Sequence, residues 1–293
     1  MTAVTRFAPS PTNHLHLGHA YSAWFAWTAA GTAAGGRFLL RIEDIDTLRC
    51  KPAFEAAILE DLAWLGLAWD GPVVRQSARL ALYRDALGRL LDDRLAYPCF
   101  CSRSDIAREI AESGGAPHLD AMGAVLFRGT GGGLAPAARE DRAASGVPYA
   151  IRLDADAVLA RHGPLCWTDD GESDAAGTHA VSAAVLGDVV IARRDVPASY
   201  HLAVAIDDAA QGVTLVTRGA DLAPASHIHR MLQAALGLPV PTWRHHRLIA
   251  GADGHRLAKR NNPLTLRMIR EGGASPAQVW ARLGVADYPP PPV

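Results

Sequence analysis

Short apolar segments alternate with stretches of helical periodicity through the first third of the chain, and no other feature narrows the choice of fold as much. Thr5 to Pro9 is a strand candidate, the turn-rich Pro9-Ser10-Pro11-Thr12-Asn13 follows, and a helix candidate runs from about Gly18 to Ala34. Arg37 to Ile42 is a second apolar strand that ends in the acidic cluster Glu43-Asp44-Ile45-Asp46. Helical spacing returns near Pro52 to Leu65 and again near Ala78 to Leu91. Strands that alternate with helices in this way predict a parallel sheet with crossover helices, an α/β fold. At 293 residues and 49% hydrophobic, the chain has material for one sizeable core or two modest ones.

Beyond Pro98 the pattern loosens. Gly114-Gly115, Gly131-Gly132-Gly133 and scattered alanines up to Gly146 read as an inserted region with long loops. Strands are expected at Tyr149 to Leu153, Asp188 to Arg193, His201 to Ile206 and Thr214 to Arg218. Helices are expected from about Pro224 to Leu236 and twice within Asn262 to Leu283. The closing Tyr288-Pro-Pro-Pro-Pro-Val293 suits neither helix nor central strand. The expected organisation is a catalytic first half over 1–97, an inserted α+β region over 98–186, a second half over 187–262 and a short helical tail over 263–293. No internal repeat is present.

The N-terminus has no basic segment followed by an apolar one, and no apolar run approaches the ~20 residues of a membrane span, so a cytoplasmic protein is expected. Cys50, Cys99, Cys101 and Cys166 are too irregular for a disulfide framework. A net charge of -1 excludes a protein held to nucleic acid by bulk charge alone, so any RNA contact rests on a local patch. Arg193, Arg194 and Arg230 are candidates for that patch. Nearly all the cations are arginine, the only lysines being Lys51 and Lys259, so a lysine inside a motif carries weight.

Two segments carry chemistry. Pro11-Thr12-Asn13-His14-Leu15-His16-Leu17-Gly18-His19 sets His16 and His19 where a loop enters a helix, with Gly18 allowing close backbone approach. A helix N-terminus flanked by imidazoles suits anionic phosphate oxygens, although His-x-Gly-His alone also describes a solvated turn. Gly254-His255-Arg256-Leu257-Ala258-Lys259-Arg260-Asn261 is a cationic, glycine-led loop able to close over a polyphosphate, or simply to solvate a surface.

Together these segments resemble the HIGH and KMSKS signatures of class I aminoacyl-tRNA synthetases. Arg6-Phe7-Ala8-Pro9-Ser10-Pro11-Thr12, Arg41-Ile42-Glu43-Asp44-Ile45-Asp46, Gly187-Asp188, Tyr200 to Asp208 and Arg218-Gly219-Ala220-Asp221-Leu222 extend the resemblance to the glutamyl subgroup. The resemblance implies a Rossmann-like parallel sheet and formation of an acyl-adenylate from ATP, Mg²⁺ and L-glutamate. His16, His19 and Lys259 would be catalytic, and His16, Gly18, His19, Leu257 and Lys259 would hold ATP. It also implies that Arg6 and Arg218 face glutamate carboxylates and Glu43 the ammonium, with Ala8, Ser10 and Tyr200 completing the pocket. Without the family, Arg6 and Glu43 read equally well as an ion pair between adjacent strand ends.

Only about thirty residues follow the KMSKS-like loop, so no C-terminal anticodon-binding domain is expected. That length resembles the truncated paralogue of this subgroup that attaches glutamate to queuosine at the wobble position of tRNA(Asp), as do Gln211-Gly212-Val213-Thr214 and Arg193-Arg194-Asp195. The paralogue commonly binds zinc through Cys-x-Cys, a tyrosine and a further cysteine. Cys99-Phe100-Cys101 fits the first part. Phe127-Arg128-Gly129-Thr130-Gly131 has phenylalanine and glycine where the other ligands would stand, so zinc is not expected unless His118 or Cys166 completes the set. Arg256 and Ala258 replace a lysine and a serine of the KMSKS pattern, and Asn13 replaces a glycine in a turn where asparagine tolerates positive φ. The competing readings are 3′-end charging of tRNA(Glu) and a non-catalytic glutamate- or adenylate-binding paralogue. A dinucleotide-binding protein would need a glycine-rich fingerprint after the first strand, which is absent. A monomer is the default expectation.

Overall fold

A computed structural model describes residues 2–101, 136–171, 174–183, 185, 187–193, 196, 198–249, 264–285 and 288. The strands are β1 (Val4–Phe7), β2 (Arg37–Ile42), β3 (Val74–Arg75), β4 (Ala96–Cys99), β5 (Ala150–Leu153), β6 (Cys166–Asp169), β7 (Gly177–Ala180), β8 (Val190–Arg193), β9 (Leu215–Gly219) and β10 (Thr242–His246). The α-helices are α1 (Leu17–Ala30), α2 (Pro52–Trp64), α3 (Leu80–Asp92), α4 (Pro136–Ala144), α5 (Ala155–His162), α6 (Tyr200–Ala210), α7 (Ala225–Leu236), α8 (Leu266–Glu271) and α9 (Pro276–Leu283).

The fold is the expected α/β arrangement. β1, β2 and β3 pair in parallel, β9, β10 and β6 pair in parallel, and β7 closes the second sheet by pairing antiparallel with β6. The two sheets meet where Thr214 N–H donates to Val4 O at 3.0 Å and Val4 N–H donates to Thr214 Oγ1 at 2.9 Å. β4, β5 and β8 form a third, antiparallel sheet, in which β4 begins before position 98 and β8 comes from after position 186. β6, which lies within the segment expected to be an insertion, joins the second sheet, since Asp169 pairs with Trp243 of β10.

Helix α1 is apolar on nearly every face and packs with β1, β2 and α2 around Phe38, Leu40, Ile42, Ile58 and Leu62. It ends at Gly31, whose φ of 62° supplies the left-handed cap, so the expected continuation to Ala34 is a 3₁₀ turn. Helices α8 and α9 join that same core through Leu266, Ile269, Val279, Trp280 and Leu283. Leu266 N–H donates to Leu15 O at 2.8 Å, which ties α8 to the loop before α1. A second core gathers α3, α5, α6 and α7 around Tyr83, Leu90, Val158, Leu202, Ile228 and Leu232.

The segment His201 to Ile206, expected as a strand, lies in α6. Leu202 to Asp208 are all buried, and burial on every side removes the helical period that would have marked the segment. Among the described residues no helix is long and apolar enough to cross a membrane.

Candidate active site

The parallel strands β1, β2, β9 and β10 all deliver their C-terminal ends to one cleft of about 460 Å³, the position where open parallel sheets bind ligands. Its walls include Arg6, Ala8, Ser10, His16, Gly18, His19, Glu43, Tyr200 and Arg218. Every described residue expected to hold glutamate or ATP therefore lies on a single cavity, whereas Cys99, Cys101, Cys166, Arg193 and Arg230 do not line it. Leu257 and Lys259, with the whole of Gly254 to Asn261, lie outside the described residues, as do His118, Phe127 to Gly131 and Arg194.

The imidazole pair is built by the start of α1. His16 is the N-cap, and its Nδ1 accepts from Gly18 N–H at 3.1 Å. His19, at the third helical position, accepts at Nδ1 from His16 N–H at 3.2 Å. The two side chains thus form a reciprocal capping box, with ring centroids 3.8 Å apart. Because each Nδ1 is an acceptor, each neutral ring carries its proton on Nε2 and presents a donor there. Gly18 makes the seat possible, since a Cβ at this position would stand 3.0 Å from His16 Cε1 and 3.1 Å from Nδ1. Asn13 does not take positive φ; its Oδ1 accepts from the neighbouring His14 N–H at 2.8 Å, and Thr12 N–H donates to Ser10 O at 2.8 Å in the turn before it.

Glu43 follows β2 directly, and its N–H donates to Pro9 O at 3.0 Å. Its side chain is only 10% exposed and lies 3.6 Å from Arg41, while Oε1 is buried without a hydrogen-bond partner. Burial, partly opposed by Arg41 and Arg6, pushes this carboxyl up to about 7. A carboxyl raised in this way gains much from a further positive charge beside it, which would favour its ionised form.

The two arginines differ in how they are held. Arg6 does not pair with Glu43: its Nε donates to Asp208 Oδ1 at 2.9 Å and its Nη1 to Thr217 O at 3.0 Å. Arg41 shares the same carboxylate oxygen at 2.8 Å. Burial pushes the Asp208 carboxyl up, but Arg6 and Arg41 together hold it below the ordinary value. Arg218 is 6% exposed and has no carboxylate partner among the described residues. Its guanidinium donates to Ser226 Oγ at 2.6 Å, to His245 Nε2 and His229 Nδ1 at 3.1 Å each, and to Tyr200 Oη at 3.4 Å. The cleft thus offers one carboxylate and one guanidinium whose charges are incompletely matched by the protein, next to a helix N-terminus with two imidazoles.

Sequence reasoning passed over several supports. Asp207 and Asp208 were visible within the α6 motif without a role. Asp208 anchors Arg6 and Arg41, while Asp207 accepts from Arg79 at 2.7 Å, Tyr83 at 2.7 Å and Gln76 at 2.9 Å, locking α6 to α3 and the turn before it. His246 lines the cleft and bonds to Ser22 Oγ at 2.9 Å, joining β10 to α1. Cys99 is buried beside Tyr97, with Cys101 packed against them; Cys166 is exposed on β6. No cluster of three or more histidine, cysteine or acidic side chains suited to a metal occurs among the described residues.

Residues 2–288 match the family described as tRNA synthetases class I (E and Q), catalytic domain. The chain is 48% identical to a glutamyl-Q tRNA(Asp) synthetase of Rhodobacter capsulatus, over 96% of this chain and 100% of the relative. It is 37% identical to a glutamate–tRNA ligase of Aquifex aeolicus, over 98% of this chain and 58% of that protein. The solved glutamate tRNA ligase of Elizabethkingia meningosepticum, in complex with its amino acid, superposes with a TM-score of 0.72 at 30% identity. That alignment covers 89% of this chain, which spans about half of the solved one, 53% of its length.

Proposed function

The chain belongs to the class I tRNA synthetases of the E and Q group, a family of ligases, and from that premise we propose that it activates L-glutamate with ATP and transfers it to queuosine at the wobble position of tRNA(Asp). The observation that carries the glutamate assignment is the pair of incompletely matched charges in one cleft, Glu43, whose Oε1 has no hydrogen bond and faces Arg41 only at 3.6 Å, and Arg218, which has no carboxylate partner among the described residues. Glutamate is complementary to both. Its ammonium would meet Glu43, Arg218 and Arg6 would face carboxylates, and Ala8, Ser10 and Tyr200 would bound the pocket.

The α-carboxylate oxygen of glutamate then attacks the α-phosphorus of ATP; a new P–O bond forms, the bond to the β-phosphate bridge breaks, and pyrophosphate leaves. His16 and His19 donate from Nε2 to phosphate oxygens as negative charge grows on them, and Gly18 lets the triphosphate approach the start of α1. Lys259 and Leu257, which follow β10 in the chain and lie outside the described residues, would act on the triphosphate. Mg²⁺ bound with the triphosphate would supply charge to share with the phosphates. In the second step an acceptor hydroxyl attacks the glutamyl carbonyl and AMP leaves. No protein nucleophile is required. The acceptor assignment is supported by the relative from Rhodobacter capsulatus, which this chain matches over its entire length. A cytoplasmic location fits both substrates.

The test is to supply ATP, Mg²⁺ and labelled glutamate with tRNA from queuosine-containing cells or from matched cells unable to make queuosine. Label confined to the first pool is expected. Equal labelling of both would replace this reading with 3′-end charging, which the similarity to the Aquifex aeolicus ligase would then explain. Absence of both transfer and glutamate-dependent pyrophosphate exchange would leave a binding protein without turnover.

A further inference from the structure

Arginine donates and never accepts, so every group packed against the Arg218 guanidinium must accept. That requirement fixes the tautomers of the rings around it. His245 Nε2 accepts from Arg218 Nε at 3.1 Å, so its proton sits on Nδ1 and is donated to Asp169 Oδ2. His229 Nδ1 accepts from Arg218 Nη1 at 3.1 Å, so its Nε2 carries the proton and faces His201 Nδ1 at 3.3 Å. Asp169, His229 and His245 are all at most 3% exposed. The three members of the Asp169–His245–Arg218 chain come from adjacent strands, β6, β10 and β9, at the carboxyl ends of the sheet.

The contrast with Arg6 is one of charge. Arg6 is met directly by the Asp208 carboxylate, whereas Arg218 is met by neutral rings and hydroxyls, with the nearest link to a carboxylate running through His245. A guanidinium held by neutral acceptors keeps both its orientation and its unspent attraction for an anion. We propose that His245, oriented by Asp169, and His229 are positioning residues that hold Arg218 through neutral acceptor nitrogens and so leave its charge to an incoming carboxylate. The inference rests on the glutamate reading above and deepens it. Burial and the Arg218 charge push His245 down to about 4, and burial holds His229 well below its ordinary value, as neutral acceptors require.

The experiment compares wild type, His245→Leu and His245→Gln in glutamate-dependent ATP–pyrophosphate exchange, with KM measured separately for each substrate. Gln sets a carbonyl oxygen near the Nε2 position and cannot be protonated. Loss of a hydrogen bond to a charged group should raise the KM for glutamate about tenfold or more in His245→Leu, with the KM for ATP within about twofold of wild type. His245→Gln should recover most of that loss. Nitrogen-15 spectra of histidine-labelled wild type at pH 7, assigned through the signals missing from His245→Gln, should show a neutral ring protonated on Nδ1; this holds the proposal to account even if His245→Leu fails to fold. An imidazolium at His245, or its Nε2–H tautomer, overturns the proposal. So do equal changes in both KM values, and so does a His245→Gln variant as impaired as His245→Leu. Wild-type protein without glutamate-dependent exchange overturns the underlying reading and this proposal with it, whereas wild-type exchange untouched by His245→Leu overturns this proposal alone.

Discussion

Replacing Glu43 by glutamine should make the substrate-free protein more stable at pH 8 while weakening glutamate recognition. The carboxyl is carried from an ordinary 4.5 to about 7, chiefly by burial beside β2, with Arg41 and Arg6 pulling down and Asp208 and Asp207 pushing up. At 1.36 kcal/mol per pH unit, that displacement is worth about 3 kcal/mol between the two protonation states. A raised carboxyl favours the protonated folded state. Its contribution is complete below 4.5 and is lost as pH rises through about 7, so above that pH the folded protein holds an anion it would rather not bury. Glutamine imitates the protonated form. Allowing for relaxation at the cleft wall, Glu43→Gln should gain about 2 kcal/mol at pH 8, or roughly 5 °C in melting temperature, and close to nothing at about pH 4. Melts at the two pH values without substrate read the first effect. Pyrophosphate exchange reads the second, as a rise in glutamate KM of about tenfold or more from loss of a charged partner for the ammonium. Equal destabilisation at both pH values would refute the reasoning, because it would mean that Glu43 serves the fold through its ion pair with Arg41.

Asp207→Ala should cost about 4 kcal/mol in urea unfolding, since it strips partners from buried Tyr83 and Gln76 and from Arg79; a loss below about 1 kcal/mol would show that the α3–α6 contact does not depend on it. Gly18→Ala should lower pyrophosphate exchange about tenfold or more, because the new methyl displaces the His16 ring, while the better helix propensity of alanine largely offsets the lost cap in stability. Unaltered exchange in Gly18→Ala would detach the His16 geometry from turnover. Asp61 is buried in α2 with both oxygens lacking hydrogen bonds, and burial pushes it up to about 6 despite Arg270 at 3.7 Å. Its stabilising contribution is complete below 3.8 and lost as pH rises through about 6, so Asp61→Asn should gain about 1 kcal/mol at pH 8, about half of that at pH 5 and little at about pH 3.5, read by melts at those pH values.

The sequence made the outline of the sheet and the start of α1 legible because their signals are local. The apolar run Arg37 to Ile42, the helix entry at His16 to His19 and the acidic end of β2 each lie within a few residues of one another. What escaped depends on partners far along the chain. β10 reads Thr-Trp-Arg-His-His, too polar for a buried strand until His245 meets Asp169 and His246 meets Ser22. Buried polar residues of that kind are paired, and the pairing is written in three dimensions. The strand expected at His201 to Ile206 failed for the opposite reason, since a helix buried on all sides presents the same apolar run as a central strand. The rival ion pair of Arg6 with Glu43 was equally open from sequence because both stand at adjacent strand ends. It was decided by Asp208, which arrives from α6 some two hundred positions later.

That decision organises the cleft. A single carboxylate, Asp208, takes up Arg6 and Arg41 at 2.9 and 2.8 Å, and thereby leaves Glu43 with only the more distant Arg41 at 3.6 Å. Had Arg6 turned to Glu43 instead, the pocket would hold one closed ion pair and no seat for an ammonium. On the opposite wall the same result is reached by another route: Arg218 is surrounded by a hydroxyl, a phenol and two neutral imidazoles, groups that orient a cation without cancelling it. Burying charge without full compensation costs stability, and a fold keeps such groups where a ligand completes them. The cleft therefore keeps one carboxylate and one guanidinium incompletely matched, an arrangement complementary to a small zwitterion, beside a helix N-terminus that suits phosphate.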